Sequence, residues 1–473
     1  MTTLTAAMDE NPLDLLPEVL LAASAVLGLL LGSWLPRSRQ WLVGALAAGA
    51  CAAGVVAAVL APATTAFGGA FLVDQVTATA RVTILGGTLV VLALSVVPLR
   101  SDPRESEFYV LLQLAALGAL MLAGAGDLLL LAAAYLLASV PSYVLAGFRK
   151  DAHGTEAALK FYVVGAFLGV LMLTGVTILY AAGRGTSYAV LRAGLPAAPD
   201  GLAAAGVVAL LAGLLFKAGG VPGHFWVPDV VQGSTAPVAA FLATLPKVGA
   251  LAALYRLGAR VLPGADVPWA ALLAVLAAAS MTLGNLAAFF QRDVRRLLAY
   301  STVSQVGYLL MPVAVADRSD LAQQALLFYL AAYAVTNLGA FAVVCALPER
   351  RETSDYRGLA RDRPGLAAAL GVCLLGLLGT PPTAVFLGKL EAFGAAFDGG
   401  FAWLAVVAAV NTVASLFYYL RWLAPAVFPP RDAVPDEPVR TASVTAYAAA
   451  ALSVVLGLTG GPVLALLDRA GGG

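Results

Sequence analysis

The chain has 473 residues, of which 61% are hydrophobic and only 12% are charged, and its formal net charge is +1. A soluble protein carries about twice that charged fraction, so a soluble globular chain is excluded. The net charge is close to zero and no basic tail or stripe is present, so nothing favours a nucleic acid as partner.

Apolar runs of about 20 residues, the length that crosses a bilayer as a helix, recur along the whole chain. They predict an all-α polytopic membrane protein with about 14 transmembrane helices, whose partner is the lipid bilayer. The predicted spans lie near 14–34, 40–61, 77–98, 108–125, 127–148, 158–181, 202–221, 239–262, 267–290, 296–315, 322–346, 366–396, 402–426 and 442–467.

The loops between these spans predict an orientation. If the acidic N-terminus lies outside, 18 basic residues fall on the cytoplasmic side and seven outside, among them Arg81 and Arg256. Basic residues concentrate in cytoplasmic loops. We therefore expect a multi-pass protein of the bacterial plasma membrane with both termini on the outer side.

Glycine and proline interrupt two of the predicted spans. The seventh breaks at 219–223 and continues to about 235, and the twelfth breaks at 379–382. Pro222 and Pro382 are 160 residues apart, and spans 4 and 9 begin at nearly the same offset. Spans 4–8 and 9–13 are therefore predicted to be two five-helix repeats, inverted because five is odd, each with one broken helix. Paired broken helices of this kind mark transport pathways near the bilayer midplane.

The repeats divide the chain into four parts, none of which is a soluble domain. The predicted parts are an N-terminal three-helix segment (1–104), a first repeat (105–262), a second, inverted repeat (263–428) and a C-terminal transmembrane helix (429–473). The three cysteines, Cys51, Cys345 and Cys373, lie in apolar runs without a CxxC pair. We interpret them as small core residues and expect no metal, haem or iron–sulfur site in this chain.

Lysine is rare, and most of it lies inside predicted spans. Only five of the 28 basic residues are lysines, and three of them are Lys217, Lys247 and Lys389. A lysine at the centre of a membrane helix costs about 2.5–3.5 kcal/mol on insertion scales. Unlike arginine, a buried lysine can lose its proton. We interpret the three as proton-exchanging sites bridged by water; the alternative is that they snorkel to an interface or fill structural ion pairs.

Two more titratable residues are candidates for the same site. His224 follows the first break, where its imidazole either relays protons or caps the helix. Lys160 lies four residues after Glu156 at the start of span 6, the spacing of a stabilising pair on one helix face. Polar side chains within apolar spans indicate either a hydrated interior or ordinary interhelical hydrogen bonds. They are Tyr300, Ser301, Thr302, Ser304, Gln305, Asn285, Thr336, Asn337, Asn411 and Ser415.

Six stretches between about residues 105 and 425 resemble the antiporter-like subunit N of respiratory complex I, the proton-pumping NADH:quinone oxidoreductase. They are SVPSYVLAGFRKDAHGTEAALKFYVVGAF (139–167), GLLFKAGGVPGHFWVPDVVQGSTAPVAAFLATLPK (213–247), RRLLAYSTVSQVGY (295–308), YAVTNLGAFAVV (333–344), GLLGTPPTAVFLGK (376–389) and NTVASLFYYLR (411–421). The block at 213–247 is specific to the wider antiporter-like superfamily, and the Asn-Leu-Gly-Ala-Phe run favours subunit N.

The resemblance implies a role for each buried lysine. Lys217 would load the proton at the first broken helix, Lys247 would connect the two halves, and Lys389 would pass the proton to the outer half-channel. Quinone reduction elsewhere in the complex would drive these steps electrostatically. NADH, FMN, iron–sulfur clusters and quinone would bind in partner subunits and not in this chain. The partners would be other membrane subunits, both antiporter-like and small quinone-side ones.

The sequence departs from that family pattern in span 5. The pattern places a glutamate five residues before the proline of a Ser-Leu-Pro run, and here that position is Leu136. The carboxylate expected to support the charge of Lys217 is therefore missing. Arg295 also stands where family members often have lysine. Two alternatives remain open: a divergent, non-pumping structural subunit of the same complex, or a subunit of a cation/proton antiporter.

Overall fold

The computed structural model describes residues 11–100, 102–429 and 437–469. These residues form nineteen α-helices and one two-stranded antiparallel hairpin. Thirteen helical segments among them are long and apolar enough to cross a membrane. The predicted all-α polytopic class is therefore confirmed.

The first half of the chain follows the predicted spans within a few residues. Its long helices are α1 (Leu16–Trp34), α2 (Trp41–Leu60), α3 (Gln75–Leu99), α4 (Glu105–Gly124), α5 (Leu128–Ala146), α6 (Ala152–Gly183), α8 (Asp200–Ala218) and α10 (Ala236–Arg260). Two short helices, α7 (Tyr188–Gly194) and α9 (Trp226–Gly233), lie between them. The hairpin of β1 (Thr64–Ala66) and β2 (Phe71–Val73) joins α2 to α3, and the apolar pattern did not predict it.

The second half contains the second predicted break. Its helices are α11 (Trp269–Ala288), α12 (Val294–Ala314), α13 (Leu321–Ala346), α14 (Leu359–Asp362), α15 (Pro364–Leu378), α16 (Ala384–Asp398), α17 (Ala402–Val427), α18 (Arg440–Leu458) and α19 (Gly460–Arg469). The predicted twelfth span is thus the pair α15 and α16. The prediction of one continuous helix over 442–467 is wrong, because the chain leaves α18 at Thr459 and resumes at the helix-weakening pair Gly460 and Gly461.

Helix α10 lies at the centre of the molecule. Every residue from 237 to 258 is buried, and the helix packs against α3, α4, α8, α12 and α13. Lys247 lies in the middle of this helix. A lysine there cannot snorkel to an interface, because protein surrounds it on all sides.

A cavity marks one end of the helix bundle. At one end, which we call the cavity face, a cavity of about 840 Å³ opens between the C-terminal ends of α3, α5 and α13 and the N-terminal ends of α6, α10 and α12. Helix α10 therefore starts at the cavity face and ends at the other, which we call the opposite face.

Several basic residues that the orientation argument assigned to loops lie instead within helices, among them Arg81, Arg256 and Lys160. Arg81 is in α3, completely buried, and its guanidinium binds Glu18 at 2.7 Å. Arg256 is in α10, 2% exposed, and binds Asp74. Lys160 is in α6. A prediction from hydropathy assigns a basic residue to the end of a span. In the structure, an ion pair with a carboxylate from another part of the chain allows such a residue to lie within a helix. Asp9, Glu10 and Arg431, which entered the orientation argument, lie outside the described residues.

Candidate functional site

Both predicted breaks end in the same way. Helix α8 stops at Gly219 (φ 77°) and helix α15 at Gly379 (φ 89°). Each glycine is left-handed and donates its N–H to carbonyls in the preceding turn, those of Leu215 and Leu375 among them. A side chain at either position would strain the backbone. The last carbonyl of each half-helix therefore points beyond the helix with no helical partner.

A buried lysine donates to that last carbonyl in both breaks. Lys247 Nζ lies 2.9 Å from the Ala218 oxygen, and Lys389 Nζ lies 2.8 Å from the Leu378 oxygen. The two lysines come from different places, since Lys247 is on α10 and Lys389 is on α16, the second half of its own broken helix. The C-terminal end of a helix carries partial negative charge and stabilises a cation. Each ammonium is thus held by a backbone dipole.

The two glycines also make room for these lysines. A Cβ at Gly219 would lie 2.5 Å from Lys247 Nζ, and one at Gly379 would lie 2.9 Å from Lys389 Cδ. Both distances are shorter than side-chain atoms tolerate. The glycines therefore permit the turn and the close approach of the amine at once.

Lys217 precedes the first break and has a different environment. The residue is 2% exposed, and its Nζ has no hydrogen-bond partner among the described residues. The ring of Tyr135 on α5 lies 5.1 Å from that nitrogen. Rings also lie near the other two amines, with Trp226 at 5.2 Å from Lys247 and Tyr308 at 4.1 Å from Lys389. Aromatic faces attract cations, most strongly where water is excluded.

No ion pair in the described part of the chain includes any of the three buried lysines. This agrees with the absence of a glutamate at position 136. Leu136 is 47% exposed, whereas its neighbour Tyr135 is buried against Lys217. Position 136 therefore lies on a face of α5 that this chain leaves open.

Lys160 forms the predicted pair with Glu156 at 2.8 Å and a second with Asp229 of α9 at 2.9 Å. Arg296 of α12 also binds Asp229, at 2.6 Å. These four residues line the cavity, so the structure separates Lys160 from the three buried lysines. Asp229 is on α9, the helix that leads from the first break to the cavity.

His224 lies at the first break, half-buried, with its ring 4.5 Å from that of Phe225. None of the hydrogen bonds or ion pairs found among the described residues joins it to a lysine. Its position fits either of the two roles that the sequence leaves open, relay or capping.

A chain of polar side chains leads from α10 towards the second break. Asn337 Nδ2 donates to Thr244 Oγ1 at 2.8 Å and to Tyr333 Oη at 3.2 Å. Tyr333 Oη in turn lies within hydrogen-bonding distance of Thr302 Oγ1, at 3.1 Å. Thr244 precedes Lys247 by one helical turn. The chain thus joins the neighbourhood of Lys247 to α12.

The same chain continues to Lys389. Gln305, one turn after Thr302, donates to the Leu377 oxygen at 2.7 Å and accepts from Tyr329 Oη at 2.7 Å. Leu377 directly precedes the residue whose carbonyl holds Lys389. Tyr308 contacts Thr412 at 3.0 Å, and Lys389 Nζ lies 3.5 Å from the same hydroxyl. Hydrogen-bonding groups therefore approach Lys389 from two sides.

Sequence reasoning found part of this network and missed the tyrosines Tyr308, Tyr329 and Tyr333. A signal was present, because Tyr329 and Tyr333 are spaced i,i+4 on one face of an apolar span. Other polar residues singled out in the sequence pair to the side of the chain: Asn285 with Asn411 at 3.0 Å, and Thr336 with Ser453 of α18 at 2.8 Å.

The three cysteines are buried and free, as expected of core residues. Within the described residues, no group of three or more His, Cys, Asp or Glu side chains is placed to hold a metal ion.

The family described as "NADH:quinone oxidoreductase/Mrp antiporter, TM" matches residues 125–415. The NADH-quinone oxidoreductase subunit N 1 of Streptomyces griseus subsp. griseus is 54% identical over 470 residues, covering 98% of this chain and 99% of the relative. The subunit N of Mycobacterium sp. (strain JLS) is 53% identical over 467 residues, with 97% and 98% covered.

Solved structures give the same result. A chain of respiratory complex I from Thermus thermophilus with bound aureothin matches with a TM-score of 0.84 and 36% identity, covering 95% of this chain and 99% of that one. A chain of the Mrp complex from Dietzia sp. shares the fold, with a TM-score of 0.84 at 23% identity and 97% and 96% covered. The chain therefore belongs to the subunit N family of NADH-quinone oxidoreductase (complex I), antiporter-like membrane subunits of a translocase.

Proposed function

We propose that this subunit translocates protons through the membrane by a relay of Lys217, Lys247 and Lys389 joined by water and polar side chains. The observation that carries the proposal is the environment of the three amines: all are buried, and their partners are backbone carbonyls and aromatic rings rather than carboxylates. An amine with a fixed carboxylate partner keeps its proton. An amine held only by dipoles can release it when a neighbouring charge changes.

Lys247 Nζ binds the carbonyl of Ala218, the residue directly after Lys217, so the two lysines act at the same break. A proton arriving at Lys217 therefore favours transfer from Lys247 towards the second half. The chain of Thr244, Asn337 and Tyr333, with Thr302 and Gln305 beyond it, offers hydroxyl and amide groups along that route. Water between these groups would complete the connection to Lys389.

Protons would enter from the cavity face. Lys160 and Asp229 line the cavity and His224 lies at the first break, and we assign all three to proton entry. Arg149, Arg295, Arg296, Arg350 and Arg351 also line the cavity, which supports a cytoplasmic location for this face. The chain would then lie in the bacterial plasma membrane with both termini on the outer side.

The matched glycines and carbonyls at the two breaks support the two inverted repeats. We propose that α4–α10 and α11–α17 are copies of one unit, within the boundaries 105–262 and 263–428. The segment 1–104 and the segment from 429 onwards, with α18 and α19, would then flank the two repeats. Lys217 has no lysine counterpart in the second copy, since Leu377 stands 160 residues later.

The energy would come from quinone reduction in neighbouring subunits. In this proposal NADH, FMN, iron–sulfur clusters and quinone bind in partner subunits, and the chain contacts antiporter-like and small quinone-side membrane subunits. One related structure, at 23% identity, is a chain of the Thermus thermophilus complex with bound NADH.

A non-pumping structural role is the second candidate, and the departure from the family pattern at Leu136 favours it. An antiporter role has less support, because the Mrp chain shares only 23% identity, whereas two subunit N relatives are 54% and 53% identical. Adjacent genes would separate these two, since redox subunits indicate complex I and small antiporter subunits indicate the other assembly.

The experiment uses the complex reconstituted in liposomes, with Lys217→Ala and Leu136→Glu made separately. Lys217→Ala should lower the protons moved per NADH oxidised, and Leu136→Glu, which restores the carboxylate of the family pattern in α5, should alter that ratio. Val140→Glu is the matched control, because Val140 lies one turn later on the same open face and is 57% exposed. If neither Lys217→Ala nor Leu136→Glu changes the number of protons moved per NADH oxidised, the subunit has a structural role.

A further inference from the structure

Arg256 is a buried cation that the relay does not use. It lies near the end of α10 at the opposite face and is 2% exposed. Its Nε donates to the Ala123 oxygen at 2.6 Å, Nη1 to Asp74 at 2.7 Å and Nη2 to Thr77 Oγ1 at 2.7 Å. One guanidinium therefore ties the end of α10 to the end of α4 and the start of α3.

The carboxylate that binds Arg256 is not bound by it alone. Asp74 is shared, since Arg260 also binds it at 3.4 Å. One carboxylate thus faces two guanidiniums. The nearby buried pair of Arg81 and Glu18 is internally neutral. Since a guanidinium does not release its proton in a protein, Arg256 keeps a fixed positive charge at this end of α10.

The position of that charge relative to Lys247 gives it a consequence for transport. Arg256 lies nine residues after Lys247 on the same helix, about 14 Å further along the axis. A proton leaving Lys247 along α10 towards the opposite face would have to pass it. Fixed arginines exclude protons and cations from narrow pores by electrostatic repulsion.

We propose that Arg256 closes the first half of the subunit at the opposite face, so that a proton on Lys247 can leave only through the second half and Lys389. This inference rests on the relay proposed above. It assigns Arg256 to preventing leakage rather than to carrying protons. The hydrogen bonds of its guanidinium to Asp74, Thr77 and Ala123 hold the positive charge in place near the opposite face.

The test measures passive proton leakage in liposomes that contain the intact complex and an internal pH-sensitive dye, without NADH. After a pH step, Arg256→Gln should speed the decay of the gradient several-fold. Arg184→Gln is the matched control, because it removes an equal charge from an exposed residue at the end of α6, and it should leave the decay unchanged.

A second variant separates the charge from the packing. Asp74→Asn keeps the guanidinium but weakens its hydrogen bonds to residue 74, so these liposomes should stay tight. If Arg256→Gln prevents assembly, Asp74→Asn still tests the inference. A rapid decay of the pH gradient in its liposomes would mean that packing, and not charge, blocks protons at the opposite face.

Combination with Lys389→Leu separates this inference from the relay itself. The double variant Arg256→Gln, Lys389→Leu should still leak, because its path bypasses Lys389. Leakage that disappears in the double variant, or Arg256→Gln liposomes as tight as the parent, would overturn the inference. Unchanged NADH-driven pumping in Lys389→Leu alone would refute the relay. The passive leakage of Arg256→Gln would still test the inference about Arg256.

Discussion

The ammonium nitrogen of Lys389 lies 2.8 Å from the carbonyl oxygen of Leu378, on the other side of the break between α15 and α16. The second half-helix thus reaches back and binds the end of the first. A charged ammonium makes a stronger hydrogen bond than a neutral amine. Loss of the proton should therefore weaken the link between the two half-helices, which couples the charge of Lys389 to the geometry of the break.

This arrangement depends on Gly379. In Gly379→Ala the new methyl would lie 2.9 Å from Lys389 Cδ, and the left-handed backbone would cost about 1–3 kcal/mol. We expect the lysine to be displaced and proton pumping to fall at least several-fold, as measured by dye quenching in liposomes that contain the complex.

Gly400→Ala provides the control for strain alone. Gly400 has the same kind of backbone (φ 85°), but nothing lies within 4 Å of a Cβ there. It should lose stability without losing pumping. Equal losses of pumping in both variants would contradict a specific role for the contact at Gly379.

The polar chain gives a second prediction. Tyr329→Phe removes the donor to Gln305 Oε1, and a buried acceptor left unpaired costs about 1–3 kcal/mol. Gln305 should then turn away from Leu377, with slower proton transfer between the two halves. Pumping per NADH should fall, whereas Tyr447→Phe, at a residue 43% exposed, should leave it unchanged. Normal pumping by Tyr329→Phe would remove Gln305 from the route.

Asp74 gives a prediction about pH. Burial opposes its ionisation, but the charge and hydrogen bonds of Arg256 outweigh that effect and hold the pKa of the carboxyl below its ordinary value of 3.8. A carboxyl with a lowered pKa stabilises the fold above its unfolded pKa, and that stability is lost as the pH falls through the folded value.

Asp74→Asn should accordingly lower the melting temperature of the complex at pH 7. The difference from the parent should narrow only when the pH falls below about 4. Thermal unfolding of both proteins across this range checks the sign. A difference that vanishes already near pH 6 would mean that another group is responsible.

The spans and both breaks could be predicted because their signals are local. A run of apolar residues or a Gly-Pro pair acts on the backbone within a few residues of itself. The three lysines were found for the same reason, since a cation in an apolar run needs no neighbour to be noticed.

The contacts of those lysines could not be predicted, because they join helices that are distant in sequence. Nothing at Lys247 indicates that its partner is the carbonyl of Ala218. Arg81 and Arg256 were assigned to loops for a related reason: the carboxylates that keep them buried, Glu18 and Asp74, are 63 and 182 residues away. The exposure of Leu136 on the open face of α5 could not be predicted either, because it depends on how α5 is rotated against its neighbours.

The central claim is that the buried amines discharge during turnover, and Lys389→Arg tests it most directly. Arginine keeps the positive charge and can still donate to the Leu378 carbonyl, but it does not release its proton. The measurement is the number of protons translocated per NADH oxidised by the reconstituted complex. The account predicts a lower ratio for Lys389→Arg than for Lys150→Arg, a control at an exposed lysine. A parental ratio with arginine at position 389 would contradict it.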